Sequence, residues 1–462
     1  MFHSTIRPTL LAILLSATAG AALAQDAFTG LDTGFSARLR AGLADGQGAI
    51  TAGSTAEISA QNLKPGQTMT LRQNGAALAD GQTFTADDKG ELSAEIAIPA
   101  GTEAGTWPVV AEFGTPSFST IVDVKVSPVL PELATDAFAM TSRQLEGGLY
   151  EVGYSAAQDA LYVTSATGRG TSDFSALFKL DPETLDIIAQ VSPPDAPARE
   201  DGRPAGVIGV FGLTVSDEEN QIWVTNSRNN TVAVYDPADL SLIKQFESGM
   251  AKHARGVLVH DGKAYVGQVF TSEVAVFDTK SLEAAGAIKI ESKLRGQTFG
   301  IGAIALDTGG NRLLVSSLAS SEIAVIDLTS GEVTGVYPTP VKGAIGIAVD
   351  AAKNHAIVTG QDSDNIAVVD LATGETIQTV SMGANPLNAL VDVSSGLTFV
   401  SVRMADRIIA LDDAGKIVAN LPTGSRPNAM ATDGKGAIYL VNKAAGQNDD
   451  EGNQITRITK VD

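Results

Sequence analysis

Residues 222–246 read IWVTNSRNNTVAVYDPADLSLIKQF, three short apolar runs separated by turn-forming residues. IWVT and TVAVY are rich in β-branched and aromatic side chains, the composition of strands, and Asp236-Pro237 marks a tight turn before the third run. The pattern returns at 356–380 as AIVTGQDSDNIAVVDLATGETIQTV. Strands closing on an aspartate recur at Asp181, Asp236, Asp278, Asp327, Asp370 and Asp412, spaced 55, 42, 49, 43 and 42 residues apart. A companion strand occurs seven times: LYVTS from Leu161, IWVTN from Ile222, AYVGQ from Ala264, LLVSS from Leu313, AIVTG from Ala356, TFVSV from Thr398 and IYLVN from Ile438. Each unit opens with a further apolar strand, such as VFGLTVS, RGVLVH or IGIAVD, and ends with a fourth after the aspartate turn.

Four strands in about 42 residues make one blade of a β-propeller, and stacked blades bury the apolar faces that one repeat cannot bury alone. The sequence therefore predicts an all-β chain with a seven-bladed β-propeller over 137–462. The seventh repeat stops at QITRITKVD, one strand short. Residues 137–144 are expected to supply that outer strand, closing the ring and removing an exposed sheet edge.

The first 24 residues order a base, Arg7, an apolar run at 10–15 and Ala22-Leu23-Ala24, the layout of a cleavable secretory signal peptide. A periplasmic or secreted protein starting at Gln25 is the expectation, with no membrane insertion. Because the chain has no cysteine, a lipid-modified cysteine, disulfides and thiolate metal sites are excluded. Between 31 and 127, alternating runs at 55–60, 68–73, 92–98, 107–112 and 120–126 are punctuated by Lys64-Pro65-Gly66, Asn74-Gly75 and Asp88-Lys89-Gly90, which predicts a small β-sandwich. The prolines Pro128 and Pro131 mark 128–136 as a stiff linker. The formal charge is −21, and removal of Arg7 with the signal peptide makes it −22. Such acidity favours solubility and opposes long-range attraction to nucleic acid or anionic lipid.

The units at 222–246 and 356–380, together with GGLYEVGYSAAQDALYVTSATGRG at 147–170, resemble the YVTN repeat of YncE-like exported bacterial propellers. The resemblance covers about 325 residues at repeat spacing. It implies the fold and export and carries no particular activity. NLKPGQTMTLRQNG, ADDKGELSAEIAIPAG and AGTWPVVAEFG resemble Ig-like modules, without a Cys-Trp-Cys core. That module is an addition to the minimal propeller.

Chemistry-bearing motifs are scarce. His3, His253, His260 and His355 form no HExxH, and the repeat frame puts His253 on the face opposite His260 and His355. No G-x-S-x-G elbow, CxxCH or twelve-residue calcium loop occurs. The acidic runs 217–219 and 449–451 and the recurring aspartates read as turn formers. No catalytic residue, metal or cofactor is assigned.

Loops from every blade converge at the ends of a propeller's axis, where ligands bind. One end collects acidic turns such as DPETLD, DPADL and DLATGE, and the other collects Arg169, Arg199, Arg203, Arg228, Lys252, Arg255, Lys293, Arg295, Lys342, Arg403, Arg407, Arg426 and Lys443. Aligned opening strands place Tyr150, Phe211, Arg255, Gly302, Ile345, Leu387 and Pro427 at one level, followed by Glu151, Gly212, Gly256, Ala303, Gly346, Asn388 and Asn428. Long connections at 192–209 and 291–300, the latter with Phe299, interrupt the spacing on the arginine-bearing face. The candidate binding residues are Tyr150, Glu151, Phe211, Arg228, Arg255, Phe299, Asn388, Arg403, Arg426 and Asn428. The expected function is an exported binding or scaffold protein that recognises a protein, peptide or anionic polymer there. The alternatives are a lactonase-like hydrolase acting at the channel mouth and a binder of single-stranded nucleic acid.

Overall fold

A computed structural model describes residues 30–461 except 115, 169–171, 199–201, 203–204 and 447. The expected signal peptide, Arg169, Arg199 and Arg203 lie outside the described residues. The chain divides into two compact units, Met1–Ser127 and Pro128–Asp462.

In the first unit, Arg38–Leu43, Thr55–Gln61 and Leu92–Ala97 form one antiparallel sheet, and Thr68–Gln73, Gly105–Gly114 and Phe118–Val126 form most of a second. Strict alternation sends Ala56, Ile58 and Ala60 inward, where they meet Met69, Leu71, Val109, Ala111, Phe113, Val122 and Val124 in one core. The strand Arg38–Leu43 lies outside the runs picked from the sequence. Its Leu39, Ala41 and Leu43 alternate with Arg38, Arg40 and Gly42, and Leu39 and Ala41 pack on the core, but no position is fully buried, so the strand covers the core's edge and its apolar signal is weak.

In the second unit the described residues form seven four-stranded antiparallel sheets in chain order, spanning 149–191, 213–245, 254–289, 301–338, 344–381, 386–422 and 427–460. The last combines three C-terminal strands with Phe138–Gln144, which pairs with Gln454–Lys460 from Gln454↔Gln144 to Lys460↔Phe138. Opening strands of successive sheets touch, and Leu149–Ser155 of the first sheet also touches Pro427–Thr432 of the last, so the cycle closes. The second and third strands are buried almost throughout, as Ala160–Ala166 and Ser175–Leu180 show. Their side chains fill the clefts between neighbouring sheets: Trp223, Phe246 and Phe277 pack together where the second sheet meets the third.

The recurring aspartates act as turn formers. Asp181 Oδ1 accepts from the N–H groups of Glu183 and Thr184, and Asp278 Oδ1 from those of Lys280 and Ser281. These donors hold both carboxyls below the usual carboxylate range. Of the acidic runs, Asp217 accepts from Ser155 Oγ and the N–H groups of Ala156 and Ala157, tying the first sheet to the second. Residues 128–136 are fastened to the sixth sheet, for Leu133 exchanges backbone hydrogen bonds with Asn420 and Glu132 pairs with Arg407 at 2.7 Å.

Candidate functional site at the channel mouth

Opening strands line the axis of the ring, and two cavities lie along it. The first, of about 340 Å³, is bounded by Tyr150, Phe211, Arg228, His253, Arg255, Phe270, Ile345, Leu387 and Arg403 with neighbours. The second, of about 320 Å³, lies further along the same strands against Glu151, Tyr154, Val215, Leu258, Ile304, Asn388 and Met430 with neighbours. Arg255 borders both. The two aligned levels thus divide: Tyr150, Phe211, Arg255, Ile345 and Leu387 meet the first cavity, and Glu151, Gly256, Ala303 and Asn388 the second.

A hydroxyl on the second strand of several sheets sets this geometry. Thr225 Oγ1 accepts from Gly212 N–H of its own sheet at 2.8 Å and donates to Arg255 O of the next at 2.9 Å. Thr359 joins Gly346 N–H to Leu387 O, Ser401 joins Asn388 N–H to Asn428 O, and Thr164 joins Glu151 N–H to Phe211 O. Each hydroxyl thereby satisfies two backbone groups and draws adjacent sheets together. The approach is close enough that a Cβ on Gly212 would lie 1.7 Å from Arg255 O, so only glycine fits there.

Two sheets lack the hydroxyl, with Gly267 and Val441 in its place. Arg255 Nη1 donates instead to Gly302 O at 3.1 Å and to Ile345 O at 3.3 Å, crossing to the next two sheets. Asn428 Nδ2 donates to Tyr150 O at 2.5 Å across the closure of the ring, and Asn388 Nδ2 to Asn428 O at 2.9 Å. Arg255, Asn388 and Asn428, three of the candidate binding residues, therefore hold the ring together at this level.

The other cations are less committed. Arg228 lies over the Phe211 ring at 5.0 Å and donates to Thr167 O and Ser172 Oγ. Lys443 Nζ sits 3.9 Å from the centre of the Tyr150 ring, which meets Phe211 edge to face at 5.3 Å. Arg403 donates to Asn428 Oδ1 at 3.1 Å. Among the described residues, no carboxylate forms an ion pair with Arg228, Arg255, Arg403 or Lys443. Burial, reinforced by Arg403, Arg255 and Arg228, brings the Lys443 amine down to about 7, against the opposing pull of Glu151. Burial pushes Glu151 up to about 7 although Arg255 and Lys443 favour its charged form. Burial also lowers the Arg228 and Arg403 guanidiniums from their usual value, without bringing them near neutrality.

The remaining candidates fall elsewhere. Phe299, 1% exposed, packs with Tyr265, Ile301 and Leu313 between the third and fourth sheets and borders neither cavity, because the connection carrying it turns its apolar side chain into the cleft. Arg426 accepts Lys443 N–H on its carbonyl and adds its charge beside Arg403 without bordering either cavity. His253 lies at the mouth, His260 bonds Asn311, and His355 starts a strand of the fifth sheet, so the three do not converge. Among the described residues no group of three or more His, Cys, Asp or Glu is placed to hold a metal ion. Lys443 and Phe270 are the residues that the sequence reading left out of its candidates. Lys443 stands among the cations that the repeat frame assigns to this end of the axis, and no signal marked Phe270.

No family model matches the chain. YncE of Escherichia coli K12 is 23% identical over 214 residues, covering 44% of this chain and 56% of that protein, and YncE of Escherichia coli O157:H7 is 23% identical over 217 residues with the same coverage. The match thus spans little more than half of those relatives. In three dimensions, virginiamycin B lyase from Staphylococcus aureus aligns with a TM-score of 0.55 at 15% identity, covering 70% of this chain and all of that one. A streptogramin B lyase gives 0.55 at 14%, covering 71% and 99%. A catalytically inactive form of the Staphylococcus aureus enzyme with quinupristin gives 0.56 at 15%, covering 70% and 100%. At such identity the likeness speaks for the fold alone. Among the described residues no helix is long and apolar enough to cross a membrane. The sequence match to YncE and the likeness in fold together support the YncE-like propeller family for this chain.

Proposed function

We propose that this chain is an exported seven-bladed β-propeller with an N-terminal Ig-like module, and that it binds an anionic group of a protein or peptide partner at the cationic mouth of its axis. The observation that carries the reading is the convergence of Arg228, Arg255, Arg403 and Lys443 on one end of the axis, unpaired with carboxylates among the described residues, in a chain of net charge −21. Half-buried like charges repel one another and lose hydration, so an anion that neutralises them gains more than it would at an exposed surface. Overall acidity opposes long polyanions, which favours a short anionic element over a nucleic acid strand.

Arg255 bridges two sheets, so the test spares it. Arg228→Gln combined with Arg403→Gln should weaken binding of a fluorescent oligoglutamate peptide at least tenfold by anisotropy, with melting unchanged. Equal binding by the double variant would remove the basis of the proposal. The hydrolase reading has one specific observation in its favour: Glu151 and Lys443 both titrate near neutrality beside the axis, as acid–base groups often do.

A further inference from the structure

The mouth cavity has three distinct parts. Its floor is crossed by Arg255, whose guanidinium is tied to Gly302 O and Ile345 O and separates this cavity from the next. Its wall carries Arg228 and Arg403, with Lys443 behind the Tyr150 ring. Its rim carries Phe270, a large apolar side chain left 65% exposed. The Phe270 ring leans on His253 with centroids 5.6 Å apart. Both residues hold left-handed backbones, φ 65° and 45°, a conformation that is costly for bulky side chains and that clusters at ligand clamps. Phe211 and Tyr150 already carry Arg228 and Lys443 against their rings. Phe270 is therefore the aromatic surface at this mouth still open to a ligand.

We infer that the mouth binds an organic oxyanion carried on a flat apolar group, with the oxyanion at Arg228 and Arg403 and the flat group on Phe270, Lys443 lying against the neighbouring Tyr150 ring. A volume of about 340 Å³ is at the small end of ligand pockets and accommodates one such unit rather than a polymer. Because Arg255 crosses the floor, a chain cannot thread the axis from this side. What enters is an end, which suits either a free aryl carboxylate or the last residue of a peptide with its terminal carboxylate.

This inference rests on the anion reading above and narrows it. Calorimetric titration of the full chain with naphthalene-2-carboxylate, naphthalene-2-carboxamide and acetate separates charge from ring. N-acetyl-Gly-Phe, with a free or an amidated C-terminus, tests the peptide source. We expect the aryl carboxylate to bind at least tenfold more tightly than its carboxamide and than acetate. The free-acid dipeptide tests which source is preferred, and its amide should lose at least tenfold. Phe270→Ala, a change at an exposed residue, should weaken the aryl carboxylate at least fivefold and leave oligoglutamate binding unaltered. If oligoglutamate binds through Arg228 and Arg403 while aryl carboxylates bind no better than acetate, this inference fails and the broader anion reading stands. If neither binds, both fail.

Discussion

Glu151 is charged above about pH 7 and Lys443 below it, so the surroundings of the mouth change by two units of charge across neutrality. Near pH 8 the carboxylate is ionised and the amine neutral, and near pH 6 the carboxyl is neutral and the amine cationic. Arg255 faces both groups, and Arg228 and Arg403 face the Lys443 amine. Acidification therefore adds positive charge next to the cavity where an anion sits. Each unit of charge at roughly 8 Å, with an effective dielectric near 20 and partial screening, is worth about 1 kcal/mol. Affinity for an anion should rise roughly tenfold or more between about pH 8 and about pH 6. Calorimetry against pH with wild type and Lys443→Met checks it: the variant should lose about half of the slope, and a flat wild-type profile would contradict the titration. Sequence reading reached Glu151 through its place after Tyr150. Lys443 lies far along the chain, and only the fold sets its amine against the Tyr150 ring. Phe299 shows the converse, an aromatic in an interrupted loop that the cleft between two sheets absorbed.

A threonine in VTN or VTG is readable in the sequence as a strand former, but its hydroxyl acts between elements. Thr225 shields two backbone groups, Gly212 N–H and Arg255 O, at a junction too tight for any side chain on Gly212. Thr225→Val keeps the shape and strand propensity and leaves both groups unsatisfied, which should cost about 1–3 kcal/mol measured by denaturant unfolding. The same change should also disturb Arg255, whose carbonyl it releases, and so lower anion affinity. Unaltered stability would show that water replaces the hydroxyl. Where the second strand offers Gly267 or Val441 instead, the longer side chains of Arg255 and Asn428 reach across. This explains why alignment of the opening strands found those residues conspicuous: the sequence displayed polar side chains at an axial level, and only the hydrogen bonds distinguish those that fasten the ring from those free to meet a ligand. Strand positions themselves were legible where a run of apolar residues is fully buried, and Arg38–Leu43 escaped because its apolar face, Leu39, Ala41 and Leu43, is short and only half-buried.

At the scale of the molecule, seven occurrences of the companion strand set the expected number of units, and the early end of the last repeat showed that it lacked a strand. The register of its replacement is a property of the fold, with Phe138–Gln144 laid antiparallel along Gln454–Lys460. That pairing joins segments more than three hundred residues apart, so the entropy of bringing them together is offset by this strand pair, the packing of Phe138 and Met140 behind it and the core that the first and last sheets share. A covalent link at this seam restricts the unfolded chain far more than it alters the folded one. Ala139 and Thr459 face each other in register, and the chain has no other cysteine to mispair. Ala139→Cys with Thr459→Cys should therefore form a single bond that raises stability under oxidising conditions. Loop-closure entropy for so long a loop sets an upper bound of about 6 kcal/mol, and engineered bonds usually deliver less. Reduction should return the midpoint to that of the reduced double variant, because the gain belongs to the closed loop and not to the substitutions. A pair that fails to oxidise in the folded protein would mean that the ring is not sealed in this register. The mouth cavity depends on that seal, since Asn428 reaches Tyr150 across the same junction. The oxidised variant should therefore retain full anion affinity at temperatures where the reduced one has begun to lose it.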